Sequence, residues 1–218
     1  ARKRNNFTDA ERWYKESLTI CREIGDQHGE AQALNNLAII NGERGELTEA
    51  KRKYKESLTI KREIGDRHGE ARTLYNLGIN ASEREELTEA ERLYKESLTI
   101  SREIGDRHGE AETLNDLGIN ARKRNNFTDA ERWYKESLTI CREIGDRHGE
   151  ASTLYNLAIT NSDRGELAKA ERWYKESLTI CREIGDQEGE AGTLYNLGIN
   201  ARKRNNFTDA ERWYKESL

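Results

Sequence analysis

The stretch ARKRNNFTDAERWYKESL fills residues 1–18, returns unchanged at 121–138, and returns again at 201–218. These copies all sit on one 40-residue step. The same step carries Arg-Glu-Ile-Gly-Asp from Arg22, Arg62, Arg102, Arg142 and Arg182, and Tyr-Lys-Glu-Ser-Leu from Tyr14, Tyr54, Tyr94, Tyr134, Tyr174 and Tyr214. A fixed period between about 20 and 50 residues signals stacked units that bury their apolar faces against one another. It predicts one elongated domain over 1–218: a half-unit at 1–25, full units at 26–65, 66–105, 106–145 and 146–185, and a truncated last unit at 186–218.

Working outward from Phe127, apolar or small residues fall at Phe127, Ala130, Tyr134, Ser137, Cys141 and Ile144, steps of three and four that draw one stripe on a helix. Trp133 and Leu138 widen the stripe. Glu131/Lys135 and Arg132/Glu136 make opposite-charge i,i+4 pairs on the other side. A second, shorter pattern places Ala151, Leu154, Leu157 and Ala158 on one face with Ile159 beside it. Gly145 fits a left-handed helix end, and Asp146 fits the N-cap of the next helix. Thr128 with Glu131 reads as a capping box for the long helix, and Asn126 is the alternative cap; the sequence leaves both open. The turn inside each pair is expected at Gly45, Gly165, Asn5, Asn125 and Asn205, residues that tolerate a positive φ. Glu85 holds that phase in its repeat, so strain or a different turn is expected there.

Composition agrees with helices and excludes much else. Leu, Ile, Val and Phe make up about 18% of the chain, just under the rough 20% level below which disorder is common. The 37 basic and 41 acidic residues nearly balance, however, leaving a net charge of −4 and little self-repulsion. With no valine the chain is a poor sheet former. No apolar run approaches the ~18 residues of a membrane span. No basic excess marks a general nucleic-acid binder. A start at Ala1, with no methionine and no leader, reads as an internal piece of a longer product or the residue left by a removed tag.

The run Leu194, Tyr195, Asn196, Leu197, Gly198, followed by Ala210, Tyr214 and Ser217, resembles the tetratricopeptide repeat, whose hairpins carry large, large, small on the first helix and small, aromatic, small on the second. The spacing recurs at Leu34/Leu37/Ala38/Ala50/Tyr54/Ser57 and in the three units between. The resemblance implies an all-α fold, a right-handed α-solenoid of antiparallel helix hairpins without strands. Arg62 and its equivalents stand where the common 34-residue form usually ends at a proline, so the second helix is expected to run on to Ile64. That length is similar to the long-repeat class of kinesin light chain and the Pins/LGN scaffolds. A usual aromatic position late in the first helix holds Asn41, Ala81, Ala121, Asn161 and Ala201 instead, and Trp13, Trp133, Trp173 and Trp213 are expected to fill the space.

Reactive side chains do not converge. His28, His68, His108 and His148 recur one per unit, about 10 Å apart if the units stack, whereas zinc ligands lie about 2 to 2.3 Å from one centre. These histidines read as solvated first-turn residues, and no metal or cofactor is expected. Cys21, Cys141 and Cys181 share one phase and cannot meet as disulfides. Three unpaired thiols suggest a reducing, cytoplasmic compartment. Because Lys61 and Ser101 occupy that phase elsewhere, it is expected to be partly buried. Neither a nucleophile with its base nor a phosphate loop stands out, and the chain is not expected to be an enzyme. The basic triplets at Arg2, Arg122 and Arg202 suit the C-terminal end of a first helix, and no continuous basic track joins them. Neither nucleic acid nor a membrane is expected as a partner.

In tetratricopeptide proteins the first helices line a concave face. Here they carry Asn36, Asn76, Asn156 and Asn196, with Asp116 in the remaining unit. An amide offers donors and an acceptor together, so a ladder of them suits the backbone of an extended peptide. Similar asparagine ladders hold peptide backbones in the kinesin light chain and Pins/LGN groups. The alternative is that each asparagine bonds only to a neighbouring helix. Beside the ladder stand Tyr75, Tyr155 and Tyr195, an aromatic surface of the kind enriched at binding sites. The expected function is a non-enzymatic scaffold binding a peptide or protein partner in this groove. Alternatives are a solenoid that stacks head-to-tail into a filament, since the chain opens and closes on the same eighteen residues, and the sensor arm of a larger signalling protein.

Overall fold

The computed structural model describes residues 2–217, with side chains from Thr8 to Ser217. Among the described residues there are eleven helices and no strands: α1 (Arg2–Ile24), α2 (Gln27–Glu43), α3 (Leu47–Glu63), α4 (Arg67–Glu83), α5 (Leu87–Ile104), α6 (Arg107–Lys123), α7 (Phe127–Ile144), α8 (Arg147–Asp163), α9 (Leu167–Ile184), α10 (Gln187–Lys203) and α11 (Phe207–Glu216). Two compact units divide the chain, Ala1–Asp106 and Arg107–Leu218. In the first, α2 pairs with α3 and α4 with α5; in the second, α6 pairs with α7, α8 with α9 and α10 with α11. The fold is an all-α solenoid of helix hairpins. No helix among the described residues is long and apolar enough to cross a membrane.

Two kinds of turn alternate. After each second helix a glycine in the left-handed region ends the helix, as at Gly65 with φ +72°. The aspartate that follows caps the next helix: Asp66 and Asp146 Oδ1 accept from the Gly69 and Gly149 amides at 2.8 and 2.9 Å. Inside the hairpins, the Glu46 amide closes the turn on the Asn41 carbonyl at 2.8 Å. The Asn126 carboxamide accepts from the Asp129 amide at 3.3 Å, so Asn126, and not Thr128, caps α7.

Glu85 makes the same turn as its glycine and asparagine counterparts. Its φ is +60°, beside +58° at Asn125 and +77° at Gly45, and the Glu86 amide reaches the Ala81 carbonyl at 2.9 Å. The packing of α4 on α5 imposes the left-handed geometry on a residue ill suited to it. The turn expected at Asn5 is absent, because α1 runs as one helix from Arg2 to Ile24. The Arg2 triplet consequently opens a helix here, where Arg122 and Arg202 close one.

The core follows the two stripes with corrections at the ends. Ala130, Tyr134, Ser137, Leu138 and Cys141 are buried, and so are Leu154 and Leu157. Ile140 is buried at 3% exposure while Ile144, placed on the stripe by spacing, stands 40% exposed. Helix α7 packs on both α6 and α8, so its buried surface is wider than one stripe and turns away from the final residue. The cysteine phase is fully buried rather than half-buried: Cys141 and Cys181 are 2% exposed. Cys141 Sγ packs against the α8 N-terminus so closely that a Cβ on Gly149 would lie 2.9 Å away. Lys61 is buried there too, at 7% exposure. Trp133 and Trp173 pack, half-buried, against the cluster that contains Ala121, and Trp213 packs against the next one, whereas Trp13 is 59% exposed and does not fill such a space.

Charged side chains tie neighbouring hairpins together. Glu131 on α7 receives Lys169 from α9 at 2.7 Å, Arg164 at 3.0 Å and Lys135 of its own helix at 2.9 Å. Burial alone would raise its carboxyl, but the bonds from Lys169 and Lys135 win and hold it at about 2.

Two outcomes test these points. Glu85→Gly relieves the left-handed conformation and is expected to stabilise the chain by about 1 kcal/mol, a rise in Tm of about 2–4 °C; an unchanged or lower Tm contradicts the strain. The folded Glu131 carboxyl lies below its ordinary 4.5, so its contribution is complete above that pH and disappears as pH falls towards about 2. Urea melts across this window are expected to show a smaller acid loss for Glu131→Gln than for the native chain.

Candidate functional site

The first helices hold the candidate ladder in place through their buried neighbours in sequence. Leu34/Leu37, Leu74/Leu77, Leu114/Leu117, Leu154/Leu157 and Leu194/Leu197 are at most 3% exposed. With those leucines fixed inward, Asn36, Asn76, Asp116, Asn156 and Asn196 come to a half-buried position beside them.

Side chains from neighbouring first helices meet there. Asn76 Nδ2 donates to Asn35 Oδ1 at 3.4 Å, Asn156 Nδ2 to Asn115 Oδ1 at 3.1 Å, and Asn196 Nδ2 to the Tyr155 hydroxyl at 2.8 Å. The rule is positional for these three: Asn76, Asn156 and Asn196 each donate back to the residue preceding the ladder position in the previous repeat, whether asparagine or tyrosine. The neighbour-helix bond expected of the alternative reading therefore exists in both units. It uses one N–H and leaves the second N–H and the amide oxygen of Asn76 and Asn156 for other partners. Asn196 commits further, to the Gly192 carbonyl at 3.0 Å. Sequence reasoning missed Asn35 and Asn115 as the acceptors; the 41-residue spacing, one repeat plus one, was the available signal.

The tyrosines flank this row. Tyr75 leans on Tyr94 with ring centroids 5.9 Å apart, Tyr155 on Tyr174 at 5.9 Å and Tyr195 on Tyr214 at 5.7 Å. Tyr75 and Tyr155 are half-buried, whereas Tyr195 is 54% exposed. Burial raises the Tyr155 hydroxyl above its ordinary range, opposed by Arg122 and by the Asn196 bond. It stays protonated near neutral pH and can accept from Asn196 while donating outward.

Open cavities lie along the row. In the first unit, Ile39, Glu43, Tyr54, Asn76 and Glu83 line one of about 250 Å³. Another, of about 230 Å³, contains Asn35, Asn36, Lys61 and Arg72. In the second unit His148, Ser152, Tyr155, Cys181 and Glu188 line one of about 360 Å³.

The histidines stay apart, and three of them lie over the cap aspartate of the next repeat: His28 Nδ1 lies 3.9 Å from Asp66, His68 Nε2 3.7 Å from Asp106, and His108 Nδ1 3.5 Å from Asp146. His28, His68 and His108 are largely exposed, as the first-turn reading expects. Among the described residues no group of three histidine, cysteine or acidic side chains is placed to hold a metal. Burial pushes the Cys141 and Cys181 thiols up, away from the reactive thiolate.

Stacked hairpins with a half-buried polar row on the first helices define a helical-repeat scaffold. The sequence matches the tetratricopeptide repeat family over residues 1–63, 43–103, 69–143, 110–183 and 149–218, and the chain belongs to that family. No curated protein matches it. Among solved structures it is similar to BtubC (BKLC) from P. vanneervenii, at TM-score 0.86 and 19% identity over 97% of this chain and 89% of that one. A signal transduction ATPase with a tetratricopeptide repeat sensor from Pyrococcus horikoshii matches at TM-score 0.78 and 20% identity, over 87% of this chain and 30% of that one. A putative kinesin light chain from Podosopora anserina with nearly identical repeats matches at TM-score 0.72 and 11% identity, over 85% of this chain and 92% of that one. At these identities the likeness is one of fold.

Proposed function

We propose that the chain is a non-enzymatic scaffold that binds an extended segment of a protein partner along its first helices, α2 and α4 in one unit and α6, α8 and α10 in the other. Membership of the tetratricopeptide family is consistent with protein–protein interaction. The observation that carries the finer reading is the half-buried row of Asn36, Asn76, Asn156 and Asn196. Asn36, Asn76 and Asn156 keep a donor and an acceptor, and such an amide pairs with both groups of a peptide unit whatever the side chains; Asn196, with its N–H groups on Tyr155 and Gly192, offers its acceptor only. Tyr75, Tyr155 and Tyr195 beside the row offer amphipathic contact area that would set preference.

The triple variant Asn76→Ala, Asn156→Ala, Asn196→Ala tests the reading against short peptides selected from a random display library on the native chain. Each lost inter-helix bond removes about 1 kcal/mol of stability, so folding is checked by circular dichroism first. The expected result is a folded variant with affinity reduced about tenfold or more. Unchanged capture by the folded variant overturns the ladder.

A second reading, end-to-end stacking of copies, rests on α1. There Trp13, Ile20 and Ile24 are 59%, 49% and 70% exposed, while of the counterparts of Ile20, Ile100, Ile140 and Ile180 are 3% exposed and Ile60 is half-buried. Sedimentation velocity at rising concentration is expected to show growing species if copies stack, and a constant coefficient excludes it.

A further inference from the structure

One repeat differs from the others at the buried end of its second helix. Cys21, Ser101, Cys141 and Cys181 fill this phase with small uncharged groups, all buried; in the repeat of α3 the residue is Lys61. Its Nζ donates to the Gly69 carbonyl at 3.2 Å and to Thr73 Oγ1 at 2.9 Å. Thr73 spends its own hydrogen on the same carbonyl, at 2.8 Å. Two of the three ammonium hydrogens are thus used, both on neutral oxygens, and among the described residues no carboxylate forms an ion pair with Lys61. A buried ammonium without an opposite charge is costly. Burial lowers the Lys61 pKa, Asp66 works against that shift, and the neighbouring Arg72 adds to it. Like charges have been placed side by side.

Lys61 faces an open cavity of about 230 Å³, lined also by Arg72, His28, His68, Asn36 and Asp66. The single anion of the wall is engaged at its edge, Oδ1 accepting from the Gly69 amide at 2.8 Å and Oδ2 lying 3.9 Å from His28. Arg72 is exposed and forms no ion pair among the described residues. The corresponding cavity of the second unit has Cys181 for Lys61, Glu188 for His68 and Gly192 for Arg72. Near-identical repeats have therefore been made cationic at one cavity and not at its counterpart.

We infer that the cavity between α2 and α4 binds the phosphate group of a phosphate monoester, with Lys61 and Arg72 as its principal ligands. Such a group carries about −1.5 to −2 charges at pH 7 and three acceptor oxygens. That matches the free donors of Lys61 and Arg72, and the amide of Asn36 beside them, better than the single charge and two oxygens of a carboxylate. The space suffices, since a water occupies about 30 Å³ in the liquid. The inference stands on this cavity alone and does not require the asparagine row to bind peptide.

The test titrates the full chain by calorimetry, with 31P linewidth in parallel. The probes are inorganic phosphate and a short phosphoserine peptide, alongside its serine and glutamate counterparts. Saturable binding of either phosphate probe is expected, weakened about tenfold or more by Lys61→Cys. That variant installs the residue native to three sister repeats, and a thermal melt verifies its folding. Arg72→Gln, on the surface, is expected to weaken binding as well and serves alone if the first variant fails to fold. Binding of both phosphate probes supports recognition of the bare group, and binding of the peptide alone supports a phosphorylated segment as its source. The inference is overturned by the absence of saturable phosphate binding, by undiminished binding in both variants, or by a glutamate peptide that binds equally well.

Discussion

The close approach of the two helices within each hairpin is the constraint on which the rest of the molecule depends. A Cβ on Gly118 would lie 2.5 Å from a ring carbon of Tyr134, and the same is true of Gly78 under Tyr94. These tyrosines are buried to 3% exposure or less. Beside each ring a serine hydroxyl of the second helix donates to a first-helix carbonyl, Ser97 to Ala71 and Ser137 to Ala111, both at 2.8 Å. The small residue lets the backbones approach, the ring fills the volume between them, and the buried hydroxyl fixes their register. Ala38 and Ala158 stand at the glycine phase in the other two full hairpins, so the rings of Tyr54 and Tyr174 accommodate one more carbon. Once the hairpin is set, its leucines can point only inward, and the residue just before the second leucine of each first helix is delivered to the half-buried row.

Charge plays a secondary but ordered part. Exposed ion pairs contribute little individually, and most pairs of this chain are of that kind. The exceptions are carboxylates drawn into the joints. Glu70 and Glu150, 6% exposed, each accept from two arginines, Arg62 with Arg67 and Arg142 with Arg147. Arg62 and Arg142 also reach the next second helix, at Glu96 and Glu176. Removing one partner would leave a buried charge uncompensated, which is where ion pairs matter. Lys61 breaks this pattern, a buried cation with neutral partners only, and for that reason it marks a place where the scaffold has been specialised.

Much of the fold was legible because repetition multiplies a weak signal. A single stripe such as Ala130, Tyr134, Ser137, Cys141 fits many helices, but the same stripe in phase across the repeats fixes hairpins and stacking together. The caps were legible for a local reason, since Asp146 needs only its own backbone and the Gly149 amide. Less was legible at the joints. Burial of Cys141, the inward turn of Ile140, and the back-donation from Asn156 to Asn115 depend on the neighbouring repeat, whose surface no single helix encodes. The polar residue Lys61 at the cysteine phase suggested partial exposure, yet it is buried, because its long chain carries the charge to oxygens of the next helix.

The eighteen residues that open the sequence separate the two kinds of determination. ARKRNNFTDAERWYKESL by itself determines a helix over its second part, with alanine and tyrosine on the packing side, and this part is helical in all three copies. It does not determine what happens at the paired asparagines. At Asn125 and Asn205 the chain turns with φ of +58° and +60° and starts a new helix at Phe127 and Phe207. In the first copy the identical residues continue one helix from Arg2 to Ile24. In the two turning copies a first helix with its buried leucines precedes the asparagines, and the ring of Tyr134 or Tyr214 packs back against Gly118 or Gly198. That packing outweighs the cost of a left-handed asparagine. Periodicity and composition are properties of the chain, but the choice between turn and helix rests on contacts that only the folded neighbour supplies.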